Sequence, residues 1–238
     1  MTTVSTAPTI RGDVRGGLRG GEWLLAASDA ASVFTPEQLT EEHQLIAHTV
    51  IDFVNNEVVP VLDQLESKDW ALARKLLGRA GELGLLGVDA PEAYGGVHLD
   101  KVTSLVVSEG ISMSASFGAT FGAHANLTVV PLVLFGSEAQ KQKYLPGLLA
   151  GTTVGAYCLS EPGSGSDALG AKSRAMRQAD GSFLLSGEKA WITNGGFADV
   201  FIVFAKVDGE QFSAFIVERA FAGVSHGKEE HKMGLHGS

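Results

Sequence analysis

The apolar positions of this chain change period near Gly151: before it they recur at helical spacing, and after it they fall into short strand-like runs. Leu45, Ile46, Val50, Phe53, Val54, Val58, Val61, Leu62 and Leu65 follow one another at helical spacing, and Pro60, lacking an N–H, is expected to kink or break that helix. Thr35-Pro-Glu-Gln38 combines capping-box spacing with Pro at the first helical position, so the helix is expected to start there. Trp70 to Leu86 reads as a second amphipathic stretch ended by Gly84 and Gly87, and Asp100 as the cap of a third helix through Val107. Ser114 to Phe135 is almost uncharged and rich in Ala and Gly, the pattern of a helix buried inside a bundle. Ser137-Glu-Ala-Gln140 offers another capping box, for a last helix before Pro146.

Beyond Thr152 the strand-like runs are Val154 to Leu159, Phe183 to Leu185, Ala198 to Val207 and Phe212 to Val217, with Asp180-Gly181 and Asp208-Gly209 as turns between them. Ala171 to Ala179 can pass for a helix. Helices first and strands afterwards predict an α+β fold with separate α and β parts. The opening residues, Thr-, Arg- and Gly-rich and without the apolar core of a secretory signal, are expected to form a flexible arm over 1–33.

Composition narrows the class. With 45% hydrophobic and 19% charged residues among 238, the balance is globular and the length suffices for a sizeable core. A formal net charge of −9 argues against non-specific nucleic-acid binding, which needs an excess of Lys and Arg. It leaves room for a small anionic ligand held by local cations and backbone amides. Cys158 stands alone, so no intramolecular disulfide can form and a reducing, cytoplasmic setting is expected. No uninterrupted apolar run approaches the roughly 18 residues of a membrane span, so no transmembrane segment is expected.

Two segments carry the candidate chemistry: Tyr157-Cys-Leu-Ser-Glu-Pro-Gly-Ser-Gly-Ser-Asp167 and Gly187-Glu-Lys-Ala-Trp-Ile-Thr-Asn-Gly-Gly196. Each joins an apolar run to a turn dense in Gly, Ser or Asn, where backbone N–H groups and small hydroxyls can approach a ligand closely. Gly163-Ser-Gly165-Ser-Asp-Ala168 also matches the relaxed dinucleotide fingerprint, but Glu161-Pro162 separates it from the strand and no βα alternation follows. Neither Ser164 nor Ser166 has the flanking glycines of a hydrolase nucleophile elbow. His226, His231 and His236 do not share a helix face and read as solvated rather than metal-binding, while His124 reads as a hydrogen-bonded core residue. Lys172, Arg174 and Arg177 form either a solvated edge or an attraction for a phosphate-bearing ligand.

Joined in order with Glu82-Leu-Gly-Leu-Leu-Gly87, Tyr94-Gly-Gly96 and Phe135-Gly-Ser-Glu-Ala-Gln-Lys-Gln-Lys-Tyr-Leu-Pro146, these segments resemble the acyl-CoA dehydrogenases from about Phe34 onward. Ala214-Phe-Ile-Val-Glu-Arg219 and Lys232-Met-Gly234 look most like the very-long-chain branch. The resemblance implies a helical N-terminal domain over 34–152, then an incomplete antiparallel, β-barrel-like middle domain over 153–238. FAD would sit between the β domain and a C-terminal helical domain. Carried over residue by residue, Tyr157, Leu159 and Ser160 would line the flavin ring, Trp191 would pack against it with Ile192 alongside, and Thr193 would approach its N5 edge. Gly165 and Ser166 would belong to the cofactor turn, with Ser166 also touching the acyl-CoA substrate.

The implied reaction converts an acyl-CoA thioester to a trans-2-enoyl-CoA in fatty-acid β-oxidation. A carboxylate takes the α-proton, the β-hydrogen leaves as hydride to the flavin, and electrons pass to an electron-transfer flavoprotein. In the family the base is a Glu of the C-terminal domain, which this chain is expected to lack, so no catalytic residue is assigned. Glu161 occupies a structural position of the motif. The chain is therefore read as a fragment of an enzyme, homo-oligomeric when complete and inactive alone. The alternative is a non-catalytic interaction module of the same fold.

Overall fold

The computed structural model describes residues 33–238, so the arm expected over 1–33 lies, Val33 apart, outside the described residues. Ahead of the strands come helices α1 (Glu41–Phe53), α2 (Leu62–Glu66), α3 (Trp70–Glu82), α4 (Lys101–Ile111), α5 (Ala115–His124), α6 (Val130–Phe135) and α7 (Glu138–Leu149). Thr35-Pro-Glu-Gln38 forms only a single 3-10 turn, because Leu39 and Thr40 are extended and Thr40 caps a new start. The Thr40 hydroxyl accepts from the His43 N–H at 3.2 Å, and the His43 ring reaches Asp100 at 3.2 Å. Asp100 in turn caps α4 through the Thr103 N–H at 2.8 Å. One buried histidine thus ties two helix starts together.

Pro60 disturbs the chain between α1 and α2 without breaking it. A widened π turn, Val54–Val58, is followed by a tight 3-10 turn, Val59–Val61, and Val50, Val54, Val58 and Leu65 all stay buried. α4 continues past Val107 to Ile111, and α7 runs through Pro146 to Leu149. The N–H missing at Pro146 falls in the last turn, where buried Leu145, Leu148 and Leu149 hold the helix by packing. α5 and α6 form one rod joined by a π turn, Ala125–Val129, and the Thr128 hydroxyl donates to the Ala123 carbonyl at 3.0 Å. By length and composition alone, Glu41–Glu66 and Ala115–Phe135 could cross a membrane. Here both pack on one core, through Val50 and Phe53 from the first and Phe117 and Phe121 from the second.

That core continues into the sheet through Val154, Ala156 and Phe201. The strands are β1 (Gly155–Cys158), β2 (Arg174–Arg177), β3 (Phe183–Ser186), β4 (Val200–Val207) and β5 (Gln211–Glu218). β4 is central: β5 pairs antiparallel along its full length, while β1 and β2 pair parallel with its beginning and its end. β2 and β3 form an antiparallel hairpin. The sheet is mixed rather than wholly antiparallel, and it is not closed. The stretch that could pass for a helix contains β2, and its burial alternates: Ala171, Ser173 and Ala175 are buried, Lys172, Arg174 and Met176 exposed. Small residues at the buried positions hid that period of two.

Candidate functional site

β1 and β2 share one edge of β4, so the chain between them, residues 159–173, swings out from that edge and returns to it. This excursion contains the first motif from Leu159 onward, and Glu161 closes its neck. The buried Glu161 carboxylate accepts from the N–H groups of Lys172 (2.6 Å) and Ser173 (3.0 Å) and from Lys189 Nζ (2.8 Å). Burial works to raise its pKa, but the Lys189 ammonium and the Ser173 and Lys172 donors outweigh it and hold the group down at about 2. A carboxylate engaged in this way is a weak proton acceptor.

Lys189 brings the second motif to the first. Its ammonium also donates to the Leu159 carbonyl at 3.2 Å, and next to it the Ala190 N–H donates to the Ser160 carbonyl at 2.9 Å. The chain then turns sharply, with Trp191 at φ 61° and Asn194 at φ 66°. Such left-handed conformations cost about 1–3 kcal/mol each outside glycine and persist only where surroundings impose them. Here the buried Asn194 side chain donates to the carbonyls of Thr120 (3.0 Å) and Gly155 (3.1 Å), fastening the turn to α5 and β1.

Trp191, Ile192 and Thr193 line a cleft of about 1030 Å³, together with Cys158, Lys189 and Arg219. This is at the upper end of the roughly 300–1,000 Å³ of small-molecule sites. Burial pushes the Cys158 thiol up to about 12, which keeps it protonated and unreactive. Trp191 leaves 67% of its surface bare. Among the described residues, the backbone N–H groups of Trp191, Ile192, Thr193 and Asn194 have no acceptor. A flat ring with acceptors along its edge, as in a flavin, answers both features: a face for the indole and partners for the amides. The residues fit the cofactor that the motifs imply.

The implied residues do not all converge. Trp191, Ile192 and Thr193 line the cleft, and Leu159 and Ser160 are tied to its wall through their carbonyls. Tyr157 alternates with Cys158 along β1, and its ring packs 5.0 Å from that of Phe204 instead. Gly165 and Ser166 lie in the exposed part of the excursion and do not line the cleft.

Three residues with no role assigned from the motifs hold the site: Lys189, Asn194 and Arg219. The Asn194-Gly195 dipeptide is a turn signal that could have marked Asn194. Nothing local marks Arg219, whose guanidinium donates to the carbonyls of Gly195 and Ala198 far upstream. His124 is the core residue its setting implied: its Nδ1 accepts from the Gly155 N–H at 3.0 Å, so Nε2 carries the proton toward the Leu148 carbonyl at 2.9 Å. His226, His231 and His236 are exposed, and no group of three metal-ligating side chains occurs among the described residues. Lys172, Arg174 and Arg177 are exposed, with Arg177 lying over the Phe183 ring and Arg174 at the cleft.

Two family models match the chain: acyl-CoA dehydrogenase, N-terminal domain, over residues 40–152, and acyl-CoA dehydrogenase, middle domain, over residues 156–238. A probable acyl-CoA dehydrogenase of Bacillus subtilis (strain 168) is 52% identical over 221 residues, which are 92% of this chain and 37% of the relative. The crystal structure of an acyl-CoA dehydrogenase complexed with FAD from Bacillus anthracis is similar with a TM-score of 0.89 at 53% identity, covering 93% of this chain and 38% of that one. A chain from the electron transferring flavoprotein structure of Acidaminococcus fermentans follows with a TM-score of 0.76 at 38% identity, covering 85% and 54%. The chain thus spans about half, or less, of the length of the relatives it matches. Its motifs, its fold and these likenesses agree: it belongs to the acyl-CoA dehydrogenase family, with that family's N-terminal and middle domains.

Proposed function

We propose that the chain is part of an FAD-dependent acyl-CoA dehydrogenase that desaturates an acyl-CoA thioester to the trans-2-enoyl-CoA in fatty-acid β-oxidation. One observation carries this reading: the Ala190–Ser160 bond joins the two motifs at a cleft where Trp191 is bare and successive N–H groups lack acceptors. FAD, when bound, supplies the hydride acceptor. Trp191 and Ile192 offer the ring an apolar face and exclude water. Thr193 and the free amides orient its polar edge, with Leu159 and Ser160 closing the opposite strand end. Tyr157 supports β1 from behind, while Gly165 and Ser166, which do not line the cleft, would meet parts of cofactor and acyl-CoA beyond it.

Glu161 is not the base, since a pKa of about 2 and donors from Lys172, Ser173 and Lys189 make it a weak proton acceptor. The α-proton goes to a carboxylate in the part of the relatives that this segment does not match. Electrons pass onward to an electron-transfer flavoprotein, as the family resemblance implies. We read the complete protein as a cytoplasmic homo-oligomer, and the Ala214–Arg219 block as resembling the very-long-chain branch.

Titrating the purified chain with FAD, then adding acyl-CoA, tests the assignment. FAD should bind, quench tryptophan fluorescence and keep its absorption band when acyl-CoA is added. Absence of bound FAD in both this folded chain and the complete protein overturns the reading. The rival is a non-catalytic module of the same fold. Bleaching of the flavin band by acyl-CoA in the complete protein would exclude it.

A further inference from the structure

Arg219 follows β5 and lines the cleft. Its Nη2 donates to the Gly195 carbonyl at 2.6 Å and its Nε to the Ala198 carbonyl, so one side chain brackets the end of the turn that begins at Trp191. The guanidinium also lies over the Phe201 ring, 5.2 Å from its centroid, and the Arg219 N–H donates to the Asp199 carbonyl at 2.8 Å. Arg74, from α3, holds the preceding carbonyl, Phe197, at 2.8 Å. Three successive carbonyls, of Phe197, Ala198 and Asp199, are thus gripped by two arginines. They differ in one respect. Arg74 is paired with the Asp199 carboxylate, whereas no ion pair among the described residues includes Arg219. Its donors serve the turn.

Resting on the FAD reading above, we infer that Arg219 is a positioning residue for the flavin. Its bonds to the Gly195 and Ala198 carbonyls hold the turn that carries Trp191 and Thr193, as do the bonds of Asn194 to Thr120 and Gly155. A planar guanidinium can bridge two carbonyls at once, which a lysine ammonium does less well.

Hydrogen exchange and FAD titration on the whole chain test this together. In Arg219→Gln, exchange at the Gly195, Phe197 and Ala198 amides, which donate to Ile192 and Asn194 within the turn, should rise about tenfold or more while α7 keeps wild-type rates. FAD should bind about tenfold more weakly. Arg219→Lys, which keeps the charge, should show a smaller change of the same kind, and it stands in if the Gln variant does not fold. Wild-type exchange in the turn overturns the proposal, because any loss of affinity would then come from charge alone. Raised exchange with unaltered FAD affinity overturns it as well. Absence of FAD binding by both the wild-type chain and the complete protein overturns the cofactor reading itself, and is told apart from the other outcomes by the wild-type titration.

Discussion

Lys189 Nζ lies 2.8 Å from Glu161 Oε1, with the two side chains only 10% and 7% exposed, and this pair joins the two motif-bearing segments. A buried ion pair adds little net stability over a well-packed apolar pair, yet removing one partner strands a charge in the interior. Lys189→Met should therefore destabilise the chain by about 3–5 kcal/mol, read from urea unfolding at neutral pH. The double variant Lys189→Met/Glu161→Gln should recover part of that loss. A single variant within about 0.5 kcal/mol of wild type would mean that the pair is solvated.

The acid limb of stability should begin with His124. Burial pushes its imidazole down to about 4 from an ordinary 6.5, and a proton on Nδ1 would break the bond it accepts from the Gly155 N–H. The unfolded chain takes the proton first as pH falls. This contribution is therefore complete above pH 6.5 and is lost as pH drops toward 4, by about 3 kcal/mol over the window. His124→Leu should unfold more easily at pH 7 but show a flatter dependence between these limits, measured as urea midpoints against pH.

Glu161 acts lower on the scale. Its pKa is depressed from 4.5 to about 2, so its stabilisation is present above 4.5 and disappears between those values. Glu161→Gln should leave the His124 slope intact and remove only the steeper fall below pH 4.5, which acid titration followed by circular dichroism would resolve.

Asn194→Ala removes the donors to Thr120 and Gly155 and leaves an ordinary side chain at φ 66°. Stability should fall by about 2–4 kcal/mol in thermal or urea unfolding. Asn194→Gly relieves the backbone while losing the same bonds, so it should be the milder of the two. Equal losses would show that the left-handed turn carries no strain.

Trp191 offers the opposite pattern. Two-thirds of it is exposed, so Trp191→Ala should change stability by less than about 1 kcal/mol. FAD affinity should nevertheless fall at least about tenfold, because base–aromatic and ring–ring contacts of this kind contribute about 1–3 kcal/mol. Fluorescence titration of the variant against wild type decides it.

Much of the helical part was legible from the residues. Asp100 and Ser137 cap helices because a short polar side chain and the N–H it accepts from lie three residues apart, within reach of local pattern rules. Pro60 marked the disturbed stretch between α1 and α2 through another local property, its missing N–H. The Thr35 capping box opens only a single 3-10 turn, and the α-helix starts at a second cap, Thr40, five residues on. β2 escaped because its buried side chains are small, so alternation did not register as hydrophobic period.

The chemistry divides in the same way. Residue order alone disclosed the two Gly- and Ser-rich turns, the family they belong to and the aromatic at the second turn, since each is a property of neighbours along the chain. Folding was needed to learn that Tyr157 faces away, that Ser166 stands clear of the cleft, and that Lys189, Asn194 and Arg219 build the site. Their acceptors lie 28, 74 and 24 residues distant, at Glu161, Thr120 and Gly195. A carbonyl or carboxylate at that separation becomes a partner only through the path of the backbone between, which depends on strand pairing and core packing rather than on either residue's own identity.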